Sequence, residues 1–310
     1  MKKVALFIVL GMVGLVIIAV GRTVVLFPGV SDEASAQAAP VTPRQFEAGA
    51  APAHLAEAIS YPTISWGPGR EIDEKAFEGF AAFLMRAYPN VSRVMERRVV
   101  NGHALVYRWK GADPSKKPIG FLAHIDVVPV EPGTEERWTH PPFEGVVADG
   151  KVWGRGALDD KGSLISIMEA AERLATSGFA PSRDIYFLFG HDEEVSGKAG
   201  AGEIRKLIDA EGVQFAFTID EGSGVVDGLV PGAKRPVALI ATSEKGFLSL
   251  KFSAEGAGGH SSAPGPETAV SLVARAVVAV EDNPFPLKID ANTVAFLHAL
   301  APEMPLSKRL

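Results

Sequence analysis

The 310-residue chain contains no cysteine. That excludes disulfides, thiolate zinc sites and a cysteine nucleophile, so any metal must be held by histidine and carboxylates. A basic stripe is also missing: 37 acidic residues against 31 basic ones give a net charge of −6, which argues against a nucleic-acid partner. There is no internal repeat, and low complexity is confined to one stretch rich in Ala, Pro and Ser. What the chain does have is 47% apolar and 22% charged residues, close to globular averages and enough for a substantial core. The length suits one large domain or two ordinary ones.

The first 27 residues depart from that composition. Lys2 and Lys3 precede an unbroken apolar run over 4–20, and Arg22 separates it from a second apolar patch over 24–27. A run of this length is at the short end of what spans a bilayer, and Arg22 could snorkel to the interface. The two lysines favour a cytoplasmic N-terminus with the rest of the chain outside. The expected localisation is therefore the cell membrane, through a single N-terminal span. The alternative is secretion after cleavage of a signal peptide at Ala34, Ser35 and Ala36, a site far beyond the apolar run. Residues 28–52, with Pro40 among scattered charges, read as a flexible tether.

From residue 53 strands and helices alternate. Apolar segments over 119–123, 184–190 and 215–219 predict strands. Leu164, Ile167, Met168, Ala171, Leu174 and Ala175 recur at the three-and-four spacing of an amphipathic helix, and a second helix is predicted over 201–210. This alternation predicts an α/β fold with a mostly parallel sheet, whose sites gather at the carboxyl ends of strands. A first domain is expected over 53–232. Beyond it, 237–243 and 247–253 flank Glu244, Lys245 and Gly246 as a hairpin would, and a helix is predicted over 266–280. Residues 233–310 thus read as a smaller α+β domain.

Four patches carry ligand-type residues. In the first, His124 and Asp126 share one face of an extended segment, an arrangement in which a carboxylate orients an imidazole ligand. The second holds Asp159 and Asp160 after Gly154 and Gly156, at a helix entrance. The turn aims one carboxylate inward as a ligand, or it is simply a capped helix start with Asp159 or Asp160 as the N-cap. The third, His191-Asp192-Glu193-Glu194, directly follows a predicted strand. Adjacent acids there repel one another unless a cation or proton offsets them, and one Glu can bind metal while its neighbour takes a proton from water. The fourth is Asp220 and Glu221, again after a predicted strand. Each patch alone has a bland reading: a surface His–Asp pair for the first, a capped helix start for the second, and a solvated acidic loop for the third and fourth. Together, at successive loops on one edge, they suit two cations held by nitrogen and oxygen, and zinc fits such ligands.

HIDVVP, GRGALDDKG, GHDEEVSG, DEG and GGHSSAP occur in this order. With these motifs the chain resembles the zinc metallopeptidases that include aminoacylase, carboxypeptidase S and Gly-Xaa carboxypeptidase. It is most similar to the carboxypeptidase S and N-fatty-acyl-amino-acid hydrolase branch, which the stretch over 138–145 and the SEKG over 243–246 also resemble. The likeness runs over about 55–300. It implies that His124 binds one zinc, that Asp126 orients it, and that Asp159 bridges two zinc ions. Glu193 becomes the general base and Glu194 a ligand, while either Asp220 or Glu221 supplies a further one. His260 would stabilise the oxyanion from an inserted lid and dimerisation domain over 233–310. Small peptides or N-acyl amino acids are the implied substrates, a homodimer the implied assembly, and Co²⁺ or Mn²⁺ could replace Zn²⁺.

Members of that family run well past 310 residues and draw a last His ligand from the returning segment. His298, in the apolar stretch over 293–300, reads as a packed structural His and not as that ligand. The expectation is an incomplete catalytic domain, with little or no activity in the 310 residues alone. The alternative is an inactive, membrane-tethered remnant that binds metal or a partner.

Overall fold

The computed structural model describes residues 2–26, 49–67, 70–233, 235–256, 258–260 and 262–309. The apolar run forms helix α1 (Lys2–Leu26). Among the described residues no helix is long and apolar enough to cross a membrane, and the side chains of α1 before Leu10 lie outside them. The tether expected over 28–52 falls outside the described residues up to residue 48.

The chain divides into two compact units, Pro43–Glu221 and Met1–Thr42 with Gly222–Leu310. The first opens with helices α2 (Ala51–Ile59), α3 (Glu74–Ala87) and α4 (Pro89–Val94), followed by strands β1 (Glu96–Val100), β2 (Ala104–Trp109) and β3 (Ile119–His124). A short ladder of β4 (Val146–Ala148) and β5 (Lys151–Trp153) leads into α5 (Lys161–Thr176). Strand β6 (Ile185–Gly190), helix α6 (Ala201–Ala210) and strand β7 (Phe217–Ile219) complete the unit.

Five strands form one sheet in the order β1-β2-β6-β3-β7. β6, β3 and β7 run parallel, whereas β1 and β2 add on antiparallel. The α/β class is as expected, and the sheet is mixed rather than mostly parallel. β1 and β2 are joined by a tight turn at Asn101 and Gly102, both at positive φ, and such a hairpin needs no crossover helix.

The core lies between this sheet and the helices before and after it. In α3, Phe77, Phe80, Phe83 and Leu84 recur at helical spacing and are all buried. Each contributes about 1.5–3 kcal/mol relative to exposure. Asp73 caps α3 by accepting the Lys75 and Ala76 amides. Glu172 of α5 accepts the Asn90 and Val91 amides at 3.0 and 2.8 Å, which satisfies the start of α4 from a neighbouring helix.

In the other unit β8 (Val225–Val226) pairs antiparallel with β9 (Val237–Ala238). Helices α7 (Ala269–Asp282), α8 (Ala291–Leu300) and α9 (Leu306–Arg309) follow. The helix predicted over 266–280 is α7, begun by a capping box of Thr268 and Ser271. The hairpin predicted from 237–243 and 247–253 is not formed: β9 pairs with β8, and 247–253 contains no strand. Leu248, Leu250 and Phe252 are exposed, so their alternation finds no apolar surface to cover, and an unsupported hairpin is marginal. His298 is likewise exposed on α8 rather than packed in a core.

Candidate metal centre

The parallel register pairs His124 with Gly190 at the end of β6, and Phe121 with Ile219 at the end of β7. Three carboxyl ends therefore lie along one edge, where α/β sheets place their ligands. The loops leaving these ends carry Asp126, then Glu193 and Glu194, then Asp220 and Glu221. The remaining acids come from the turn between β5 and α5. Gly156 there has φ of +82°, and a Cβ on it would sit 2.7 Å from Val127 Cγ1. Glycine lets this turn press onto the end of β3, which brings Asp159 and Asp160 beside His124.

His124 is buried, and its two ring nitrogens face different partners. Nδ1 lies 2.9 Å from the Asp126 carbonyl oxygen and 3.4 Å from Asp126 Oδ1. Nε2 lies 2.9 Å from Asp159 Oδ1, 3.4 Å from Glu221 Oε1 and 3.9 Å from Glu193 Oε2. Burial by itself would lower the imidazole pKa, but Asp126, Glu221 and Asp160 outweigh it and push it up to about 10. Asp126 is fully buried. Burial would raise its pKa, yet contacts with His124, the Ser65 hydroxyl and the Glu193 amide hold it below the usual carboxylate range.

Two groups of donors have ligand atoms within 4.8 Å of one another: His124, Asp160 and Glu221, and His124, Asp159 and Glu194. One imidazole nitrogen serves one cation, so the two groups are adjacent positions that share a corner. Burial, followed by Asp160 and other neighbouring acids, pushes Glu221 up to about 7. Burial first and nearby acids next also raise Glu193 and Glu194. Such crowding signals negative charge that a cation or protons must offset. Asp160 adds a direct sign, because its Oδ1 is buried with no hydrogen-bond partner. A nitrogen with several carboxylate oxygens, one of them orphaned, is a donor set that fits a divalent ion of the zinc type.

Most of the residues singled out in the sequence meet here. Asp126 stands behind the imidazole, Asp159, Glu194 and Glu221 stand in front, and Glu193 lies at the rim with its side chain 55% exposed. Asp220 belongs to neither group; it is exposed, and its Oδ1 accepts the Glu221 amide at 3.0 Å. Of the two acids left open, the geometry gathers Glu221. His260 lies in the other unit on an exposed loop, with Nδ1 2.9 Å from Ser262 Oγ.

Two residues escaped the sequence reading as parts of the centre. Asp160 was weighed as a helix cap. It does occupy that position on α5, but its side chain makes no capping bond to the helix, and its Oδ2 instead accepts the His124 amide at 3.2 Å. Being the second acid of a pair after a glycine turn was its available signal. Ser65, which donates to Asp126 Oδ2, gave none, since its partner is 61 residues away. A cavity of about 560 Å³ adjoins the cluster and is lined by His124, Glu193 and Glu221 together with the apolar Leu122, Ile204 and Phe215. Its size is that of a small-molecule site.

An imidazole and several carboxylates collected at the strand ends of an α/β sheet form the kind of cation site that metallohydrolases use. Residues 120–307 match Peptidase family M20/M25/M40, and the chain belongs to that family. It is 42% identical over 246 residues to probable carboxypeptidase S-like 2 of Dictyostelium discoideum, covering 78% of this chain and 47% of that protein. It is 40% identical over 234 residues to the N-fatty-acyl-amino acid synthase/hydrolase PM20D1 of Bos taurus, covering 75% and 46%. The chain thus spans about half the length of the curated relatives it matches. Among solved structures, human carnosine dipeptidase 1 overlays with a TM-score of 0.43 at 20% identity, over 55% of this chain and 39% of that one.

Proposed function

We propose that the protein hydrolyses amide bonds next to a free carboxylate, in small peptides or N-acyl amino acids, at a centre of two zinc ions. The observation that carries this reading is the buried His124, oriented by Asp126 from behind and faced by Asp159, Asp160, Glu194 and Glu221. The relatives' names, carboxypeptidase S-like and N-fatty-acyl-amino acid hydrolase, supply the two substrate classes. His124, Asp160 and Glu221 would hold one ion, and Asp159 and Glu194 its neighbour. Bound there, the metal would polarise the amide carbonyl and lower the pKa of a water to about 7.

The chain's own groups do the rest. Asp126 fixes the His124 ring so that Nε2 faces the ligand acids. Glu193, at the rim, takes the proton from the attacking water and returns it to the leaving amine. His260 would stabilise the oxyanion of the tetrahedral intermediate, delivered by a lid and dimerisation domain over 233–310. In the whole protein, hydrolysis of N-acyl amino acids or dipeptides is expected to vanish on chelation and return with Zn²⁺. Turnover that persists after exhaustive chelation would refute the reading.

We also propose that the apolar segment before residue 28 tethers the protein to a membrane with the catalytic unit outside. The support is its sequence pattern, two lysines followed by seventeen apolar residues. Deleting residues 1–27 is expected to move the protein from the carbonate-washed membrane pellet to the soluble fraction. A full-length chain that a carbonate wash already releases contradicts the tether.

A further inference from the structure

We infer that Ser65 is a positioning residue of the metal centre, whose hydroxyl acts through Asp126 on both the imidazole and the Glu193–Glu194 turn. This rests on the reading of that centre as a zinc site.

The segment carrying Ser65 is stitched alongside the loop after β3. Thr63 Oγ1 donates to the Ile125 carbonyl at 2.7 Å, the Val127 amide donates to the Thr63 carbonyl at 3.0 Å, and Ile64 bridges Val127. These bonds place Ser65, itself buried, directly beside the buried Asp126. Asp126 Oδ2 accepts from the Ser65 hydroxyl and from the Glu194 amide, the latter at 3.1 Å. Oδ1 accepts the Glu193 amide at 3.1 Å and lies 3.4 Å from His124 Nδ1.

One carboxylate therefore has four donors around it. Two are the amides of the residues whose side chains serve as base and ligand, and a third is the ring that faces the metal. Any rotation of the Asp126 carboxylate shifts both sides of the site together. Within this set only Ser65 has no part in the centre itself, and its sole evident task is to fix that rotation. Hydrogen bonds to ions in a buried site are short and directional, and partners behind metal ligands typically set metal affinity as well as geometry.

The test compares Ser65→Ala and Ser65→Thr in the full chain. Zinc affinity, measured by competition with a chelating dye, is expected to fall roughly 10–100-fold in Ser65→Ala and to recover in Ser65→Thr, which keeps the hydroxyl. In the metal-free proteins, amide hydrogen exchange at Glu193 and Glu194 is expected to speed up in Ser65→Ala and to return in Ser65→Thr. Exchange across β2 reports the global fold and should be unchanged in both. Wild-type affinity and exchange in Ser65→Ala would overturn the inference, and so would a threonine variant with intact β2 protection that restores neither. If the wild type takes up no zinc, the hydrolase reading fails, and the exchange rates alone decide the role of Ser65.

Discussion

Replacing Glu193 by Gln in the whole protein is expected to lower kcat on N-acyl amino acids by roughly 10²–10⁴-fold, the usual worth of a general base, while bound zinc stays nearly unchanged. The prediction follows from where Glu193 stands. Its carboxylate is at the rim, 3.9 Å from His124 Nε2, and it belongs to neither group of ligand atoms, whereas its neighbour Glu194 does. Its amide is held by Asp126 at 3.1 Å, so the backbone is anchored while the side chain reaches into open space. Burial and the surrounding acids raise its pKa, the direction that makes a carboxylate a better proton acceptor. Glutamine keeps the shape and the amide contact and removes only the ability to take a proton. Zinc lost along with activity would mean that Glu193 is a ligand and that the roles of the two glutamates are exchanged.

Replacing Asp126 by Ala is expected to have the largest effect on the fold of the site. The carboxylate is fully buried and satisfies the Ser65 hydroxyl and the Glu193 and Glu194 amides, besides facing the His124 ring. Removing it leaves these donors unpaired and takes the principal counter-charge from a buried imidazole. Breaking a buried charged pair in this way costs about 3–5 kcal/mol. Urea denaturation of metal-free protein should show that loss as a lower midpoint with unchanged slope. A midpoint within experimental error of wild type would mean that Asp126 is dispensable to the structure around His124.

How far the sequence disclosed this arrangement depended on how local each signal was. β3, β6, α5 and α6 were legible because their apolar residues run at strand or helix period and end in glycines or acids. β1 and β2 were not: Glu96–Val100 lacks alternation, and Ala104–Trp109 is a short, nearly continuous apolar run that fits strand or helix equally. The second strand of the predicted hairpin, over 247–253, failed for the opposite reason. Its alternation at Leu248, Leu250 and Phe252 is clear, but a pattern specifies a strand only where a surface exists to bury its apolar face, and these three side chains are left exposed. At the site, motifs disclosed the residue types, and the register of β3, β6 and β7 supplied their convergence. Ser65 became visible only in three dimensions, through a contact across 61 residues, whereas Asp160 was legible as one of an acid pair and its part in the centre rests on an orphaned oxygen.

In the proposed centre, imidazole and acids distant in the chain would together hold divalent ions. The most direct measurement is the metal content of the folded whole protein after zinc loading and removal of free ion. Close to two zinc ions per chain are expected, with His124→Ala, which removes the imidazole from the position it would share with Asp160 and Glu221, retaining fewer. A folded protein that holds no transition metal under any loading condition would contradict that proposal.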